Sequence, residues 1–290
     1  MRMTGAQKIR ALFGAFSARS DIKRLLIRRY WEQHKTFALN LAEVRAVFCT
    51  EDFYSNYWFW GPQNEDRIYE PAVTRLLINR IRGSRGFVDI GANLGYFTVI
   101  AAMLLKDAPI FAFEMDATLA PLIEQNLELN GHKGARIVSA AVGEANGVFV
   151  SYIPHPVKFI EPVTGMRTEP FRVEMTATTI NLDSYFADSP ILPNFMKIDV
   201  DGAEMAVLSG MGRLLAQPDL QMLLEIHSHH LPQFKSSAEA VLDFLYKHGF
   251  KTYFLEHFRN DTDGCLREIY DARDLTAETG DMVLVMRTAI

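Results

Sequence analysis

Cysteine is nearly absent: the 290 residues hold two, Cys49 and Cys265, far apart and without Cys-x-x-Cys or Cys/His spacing. That argues against a disulfide framework and against a zinc knuckle, and the pair is expected as free thiols in a reducing compartment. Long apolar runs are missing too. No stretch approaches the roughly 20 residues needed to cross a bilayer, and the N-terminus lacks the continuous apolar core of a signal peptide, so a cytoplasmic location is expected. There is no low-complexity tract and no internal repeat. Nor is there a surplus of positive charge: 30 Lys+Arg against 35 Asp+Glu leave a net charge of −5, and nucleic acid is not an expected partner.

The basic residues that do occur are unevenly placed. Residues 1–30 carry eight Lys or Arg against the single acid Asp21, which leaves 22 basic and 34 acidic groups in the rest of the chain. With Leu12, Phe13, Phe16, Ile22 and Leu25 interleaved, this arm reads as helices with one solvated face, or as a candidate for peripheral contact with an anionic membrane surface. Helical spacing of apolar residues continues from Asp21 to about Val47. Phe48 to Trp60 is dense in aromatics and suggests a short strand or lid segment, packed as a core floor or offered to a sugar ring. We divide the chain into an extension, residues 1–60, and a main domain, residues 61–290, with a hairpin-like insertion over 151–178.

The main domain alternates strands with helices. Pro71 opens a helix over Ala72 to Ile81. Strands are expected at Phe87–Ile90, Ile110–Phe113, Arg136–Val142, Phe195–Val200, Gln221–Ile226, Lys251–Leu255 and Met282–Met286. Helices run between them to Leu105, over Thr118–Leu129, Glu204–Leu215 and Ala238–His248. Short connections in such a series predict an α/β fold with a mostly parallel seven-stranded sheet and helices on both faces.

Chemistry concentrates at the carboxyl ends of these strands. Val88-Asp89-Ile90-Gly91-Ala92-Asn93-Leu94-Gly95-Tyr96-Phe97 is a strand, a glycine turn and a helix start, and Phe111-Ala112-Phe113-Glu114 is the next strand ending in a carboxylate. Gly91 and Gly95 permit close backbone approach, and Glu114 is placed to accept two ribose hydroxyls. A dinucleotide would want a third glycine, and Asp89 would repel phosphate while suiting a cationic ligand, so a nicotinamide oxidoreductase is the weaker reading. No Gly-Lys-Ser/Thr follows the turn, which removes a P-loop. Further along, Asp199 ends one strand while Glu225 and His227 share a face at the end of another. These three are the expected catalytic residues, orienting an acceptor and removing its proton. Glu204 is expected as an ordinary acid in a helix first turn. His227, His229 and His230 match no metal-site spacing, so the site is expected to need no metal.

Taken together these motifs resemble the FkbM family of methyltransferases. The likeness is carried by Phe87 to Thr98, Ala112-Phe113-Glu114, Thr179-Ile180-Asn181-Leu182-Asp183, Lys197-Ile198-Asp199-Val200-Asp201-Gly202-Ala203-Glu204 and Leu224-Glu225-Ile226-His227. It spans residues 87 to about 255, and the Lys197 to Glu204 block is the most family-specific part. Two departures stand out: Asp201 replaces the usual Glu, and Met115 the usual Pro. The resemblance implies a class I methyltransferase (Rossmann-like) fold and S-adenosylmethionine-dependent O-methylation of a sugar, glycan or natural-product hydroxyl. Asp89, Gly91, Ala92, Asn93, Gly95, Phe97, Thr98 and Met115 would line the cofactor site, Glu114 would hold the ribose hydroxyls, and backbone near Ala141 and Val142 would flank adenine. A binding module that keeps this fold without turnover is the non-catalytic alternative.

Overall fold

The computed structural model describes residues 35–60, 68–154, 174–257, 259, 264–275 and 280–287. The basic arm and the centre of the insertion lie outside the described residues.

The first described elements correct the sequence reading. Thr36–Asn40 (β1) and Arg45–Cys49 (β2) form an antiparallel hairpin, where helical spacing had been read through Val47. Period-two burial competes with that spacing: Phe37 and Leu39 of β1, and Ala46 and Phe48 of β2, all turn inward. The aromatic stretch then forms the helix Phe53–Trp60, not a strand. Asp52 caps it, its Oδ1 accepting from the Ser55 amide at 2.9 Å. Phe59 stacks on Phe37 and Phe48, with ring centroids 5.1 and 4.8 Å away. Each such ring is worth roughly 1.5–3 kcal/mol of burial, which anchors this region on the main core.

The chain continues through helix Pro71–Arg80, β3 (Phe87–Ile90), helix Tyr96–Leu104, β4 (Ile110–Phe113) and helix Ala120–Leu129. The strand expected over Arg136–Val142 is split into β5 (Arg136–Val138) and β6 (Ala141–Val142), which join different sheets. Insertion strands β7 (Phe149–Tyr152) and β8 (Met175–Ile180) pair antiparallel, as the hairpin reading expects. After the short helix Leu182–Tyr185 come β9 (Phe195–Ile198), helices Glu204–Ser209 and Gly212–Leu215, and β10 (Gln221–Ile226). One helix had been expected over Glu204–Leu215. It breaks at Gly210, which packs so closely that a Cβ there would stand 2.2 Å from the Gly143 carbonyl oxygen. Helix Ala238–Lys247, β11 (Lys251–Leu255), β12 (Leu266–Ile269) and β13 (Asp281–Met286) complete the series.

The main sheet has the order β12-β11-β13-β10-β9-β3-β4-β5. β5, β4, β3, β9 and β10 are mutually parallel, while β13 runs antiparallel between β10 and β11. All seven expected strands are present, and β12 adds an eighth at the edge. Its Leu-Arg-Glu-Ile sequence has too little apolar alternation to announce a strand. Full burial of β3, β4 and β9 on both faces explains their continuous apolar character. The chain leaves β3 toward β4 and β5 on one side and later returns to β9 and β10 on the other. That reversal puts the topological switch point at the carboxyl ends of β3 and β9, the place where an α/β sheet binds its ligand. Among the described residues no helix is long and apolar enough to cross a membrane.

Candidate active site

The loop after β3 is held against its neighbours by backbone contacts. Gly91 has φ +78°, and a Cβ on it would stand 1.8 Å from the Asp199 carbonyl oxygen, so the loop meets the turn after β9 at a point only glycine fits. The Gly91 and Ala92 amides both donate to the Phe113 carbonyl at 2.9 and 3.1 Å, which pins the loop to the end of β4. Asn93 and Gly95 follow in the left-handed region. The Asn93 amide donates to Glu114 Oε2 at 2.8 Å and the Asp116 amide to Oε1 at 2.9 Å. Each Glu114 oxygen therefore keeps a lone pair for one more donor. Burial pushes the Glu114 carboxyl up to about 7, against the pull of those two amides.

Asp89 is more enclosed than its sequence role suggested. It is 1 % exposed, its Oδ2 accepts from the Thr98 hydroxyl at 2.6 Å, and Oδ1 has no hydrogen-bond partner among the described residues. Lys197 stands beside it in register on β9, and burial pushes the Asp89 carboxyl up while Lys197 and Thr98 oppose that shift. The structure thus gives Asp89 a fixed internal cation, which the sequence reading did not supply. Phe97 lies under the same lysine, its ring centroid 4.8 Å from Nζ. Met115 and Ala141 are half-buried, whereas Val142 is buried in the core between sheet and helices. From the aromatic helix, the Tyr54 hydroxyl donates to Asn93 Oδ1 at 2.8 Å, so that region packs as a floor and also reaches the loop.

At the ends of β9 and β10 the three expected catalytic groups do meet. His227 Nε2 lies 3.7 Å from Asp199 Oδ1 and 3.5 Å from Glu225 Oε1, with Asp201 Oδ1 at 3.6 Å. Its other nitrogen, Nδ1, is 2.8 Å from Glu204 Oε1, which also accepts from the Gly202 amide at 3.0 Å. Glu204 does sit in a helix first turn, but it is wholly buried and turned to the imidazole, so it is more than the solvated helix acid expected from sequence. Burial disfavours the imidazolium, yet Glu204, Asp199 and Glu225 outweigh it and lift His227 to about 9. Burial, then the charges of Asp199 and Glu70, push Glu225 well above the usual carboxylate range. For Asp199 burial is overcome by Lys197 and His227, and its carboxyl is held below the ordinary value.

Several members of this cluster escaped the sequence reading. Lys197 Nζ donates to Asp199 Oδ2 at 2.8 Å and is 2 % exposed; a lone lysine in the otherwise apolar Phe-Met-Lys-Ile was the available signal. Arg259 bonds Glu225 from a loop after β11. Glu70, just before helix Pro71–Arg80, is 4 % exposed, its Oε2 has no hydrogen-bond partner among the described residues, and the charges of Lys197, Asp199 and Arg259 act on it. Gly280, with φ +117°, closes the far side: a Cβ there would lie 2.4 Å from Glu225 Oε1 and 3.0 Å from His227 Cδ2. His229 is exposed and His230 stacks on His227 at 5.8 Å, so neither joins the three-residue group.

A mostly parallel sheet of this order, with β13 and the edge strand β12 reversed against the other six and a glycine loop at the switch point, is the class I methyltransferase fold. The chain belongs to the FkbM methyltransferase family: the model of the methyltransferase FkbM domain matches residues 89–252. Tyr54, Glu70, Arg259 and Gly280 lie outside that span. The hexuronic acid methyltransferase AglP of Haloferax volcanii is 25% identical over 212 residues, covering 71% of this chain and 83% of that one. Methyltransferase 1 of Beauveria bassiana is 25% identical over 144 residues, or 43% of this chain and 57% of its own. Among solved structures, the FkbM methyltransferase of Methylobacillus flagellatus has a TM-score of 0.47 at 14% identity, covering 91% of this chain and 59% of that one.

Proposed function

We propose that this protein is a cytoplasmic enzyme that moves the methyl group of S-adenosylmethionine to a hydroxyl of a sugar or glycan. The observation that carries the reading is the meeting of Asp199, Glu225 and His227 beside the loop that Gly91 and Glu114 build. The residues present fit the cofactor. Both Glu114 oxygens have acceptor capacity left for a ribose diol, Ala92, Leu94 and Gly95 of the loop are buried away from it, and the acid-rich cluster suits a sulfonium. Thr98 and Phe97 serve this site indirectly, by holding Asp89 and Lys197.

When bound, S-adenosylmethionine supplies an electrophilic methyl: its carbon–sulfur bond breaks as a carbon–oxygen bond forms, and the sulfonium leaves as a neutral thioether. The acceptor hydroxyl loses its proton to the Asp199, Glu225 and His227 cluster. Lys197 keeps Asp199 ionised and oriented to take that proton, while His227, lifted to about 9, is protonated near neutrality and can hydrogen-bond the acceptor oxygen. Exposure of Asp199 and Asp201, at 24% and 62%, marks the side from which an acceptor enters. The sugar assignment is favoured by the AglP relative, whose substrate is a hexuronic acid.

Incubation with methyl-labelled S-adenosylmethionine and fractionated cell extract tests this. A labelled carbohydrate product whose methyl survives mild alkali, as an ether does, is the expected result. Label lost to alkali would mark a carboxyl ester and overturn the hydroxyl assignment, and label on protein or nucleic acid would overturn the acceptor class. The nicotinamide alternative predicts binding of NAD, which is not expected here.

A further inference from the structure

We propose that Asp199, Glu225 and His227 together hold one divalent cation of the manganese type at the acceptor end of the site. This rests on the reading of that cluster as the place where the acceptor hydroxyl sits. The histidine spacing carries no metal-site signature, and a metal-free site was the expectation. The folded geometry changes the case. One donor atom from each of the three residues lies within 4.8 Å of the other two. Ligands about 2.0–2.2 Å from an octahedral ion stand roughly 3 Å apart when adjacent and about 4.3 Å apart when opposite, so the observed 3.5 and 3.7 Å separations around His227 Nε2 need only a small closure. Two carboxylates suit a divalent ion that takes oxygen donors, and the imidazole beside them selects manganese over magnesium.

Two further observations point the same way. Glu204 is fully buried and takes the Nδ1 side of His227, which fixes the ring and presents Nε2 to the cluster. Metal-binding histidines are oriented in this manner by a carboxylate behind them. The charge count is also unbalanced. Asp199, Asp201, Glu204, Glu225 and Glu70 crowd around the site, while the facing basic side chains among the described residues are Lys197, Arg259 and the imidazoles of His227 and His230. Lys197 takes Asp199 Oδ2 and leaves Oδ1 toward the histidine; Glu225 Oε1 has a second lone pair beside the one given to Arg259. A cation here would bind the acceptor oxygen, make its proton easier to lose, and fix its line of approach to the methyl group.

The test uses manganese alone, added to the full chain after chelator treatment and followed by electron paramagnetic resonance, with calorimetric binding of S-adenosylhomocysteine as the check on folding. Saturable binding at one ion per chain is expected. His227→Ala and Asp199→Asn should weaken it at least tenfold, and Glu204→Ala by ~10- to 100-fold, as loss of an orienting partner does. Each variant should still bind S-adenosylhomocysteine. Normal S-adenosylhomocysteine binding without saturable manganese binding would overturn the proposal, as would manganese binding that survives His227→Ala. Manganese binding in a protein that labels no carbohydrate would sink the acceptor assignment and leave the ion site standing, so the two failures are separable.

Discussion

Gly91 and Asp199 touch through their backbones: the Gly91 α-carbon faces the Asp199 carbonyl at a distance no Cβ could share, while the Asp199 amide donates to the Ile90 carbonyl at 3.0 Å. The loop after β3 and the turn after β9 are therefore packed as one unit, set by the pairing of β3 with β9. Replacing Gly91 disturbs both at once. For Gly91→Ala the left-handed backbone alone costs about 1–3 kcal/mol, and overlap with a carbonyl oxygen adds to it. Urea unfolding should show a loss of at least that size, with S-adenosylhomocysteine binding lost as well. A stable Gly91→Ala protein with normal binding would mean that the loop and β9 are not in contact.

Gly280 gives a cleaner separation, because it touches the cluster and not the loop. A methyl at position 280 would press on Glu225 Oε1 and the His227 ring. Gly280→Ala is expected to lower turnover by about tenfold or more, while S-adenosylhomocysteine affinity stays within about twofold, since loss of near-attack alignment falls on the chemical step. Equal losses in both would show that residue 280 acts on the whole fold.

What could be read in advance follows from how local each signal was. The parallel strands were legible because Phe87–Ile90, Ile110–Phe113 and Phe195–Ile198 are short apolar runs bounded by turns, and burial on both faces demands that composition. Asp199, Glu225 and His227 were legible because strand ends in such a sheet share one edge. Glu204 was not: the helix dipole explains an acid in that place without any imidazole, and only the turn at Asp201 and Gly202 brings it under His227. Arg259 and Gly280 reach the site from loops whose path no periodicity reveals. The β1–β2 hairpin was missed because its turn, Leu41 to Val44, carries no glycine, proline or asparagine.

Glu114 should make cofactor binding depend on pH. Its carboxyl, lifted by burial to about 7, is partly protonated near neutrality, and a protonated acid is the poorer acceptor for two ribose hydroxyls. S-adenosylhomocysteine affinity should therefore rise as pH increases from 6 to 8 and level off above. Glu114→Gln should flatten that profile, and Glu114→Ala should cost about 1.5–3 kcal/mol of binding at pH 8. The same shift acts on stability in the opposite sense. The unfolded carboxyl releases its proton near 4.5 and the folded one near 7, so the ligand-free fold loses stability as pH rises across that window. A pH-independent affinity in the natural protein would remove Glu114 from the ribose site.

Asp199→Asn and Glu225→Gln separate binding from chemistry most directly, since both keep the shape of the side chain and remove its charge. Asp199 is held by Lys197 and faces His227, and Glu225 lies almost wholly buried between Arg259 and the same histidine. Among the described residues neither side chain hydrogen-bonds Glu114 or the loop amides that would hold the ribose, so cofactor affinity has little to lose. An amide at either position cannot take a proton, and it also weakens the field that keeps His227 basic. Turnover is expected to fall ~10²-fold or more in each variant, measured as labelled methyl transferred under saturating cofactor, with modest change in S-adenosylhomocysteine affinity. The double variant should fall less than the product of the two, because residues around one imidazole act as a unit. Full turnover in both single variants would place proton removal elsewhere, and a large loss of cofactor affinity would make these carboxylates part of the sulfonium site.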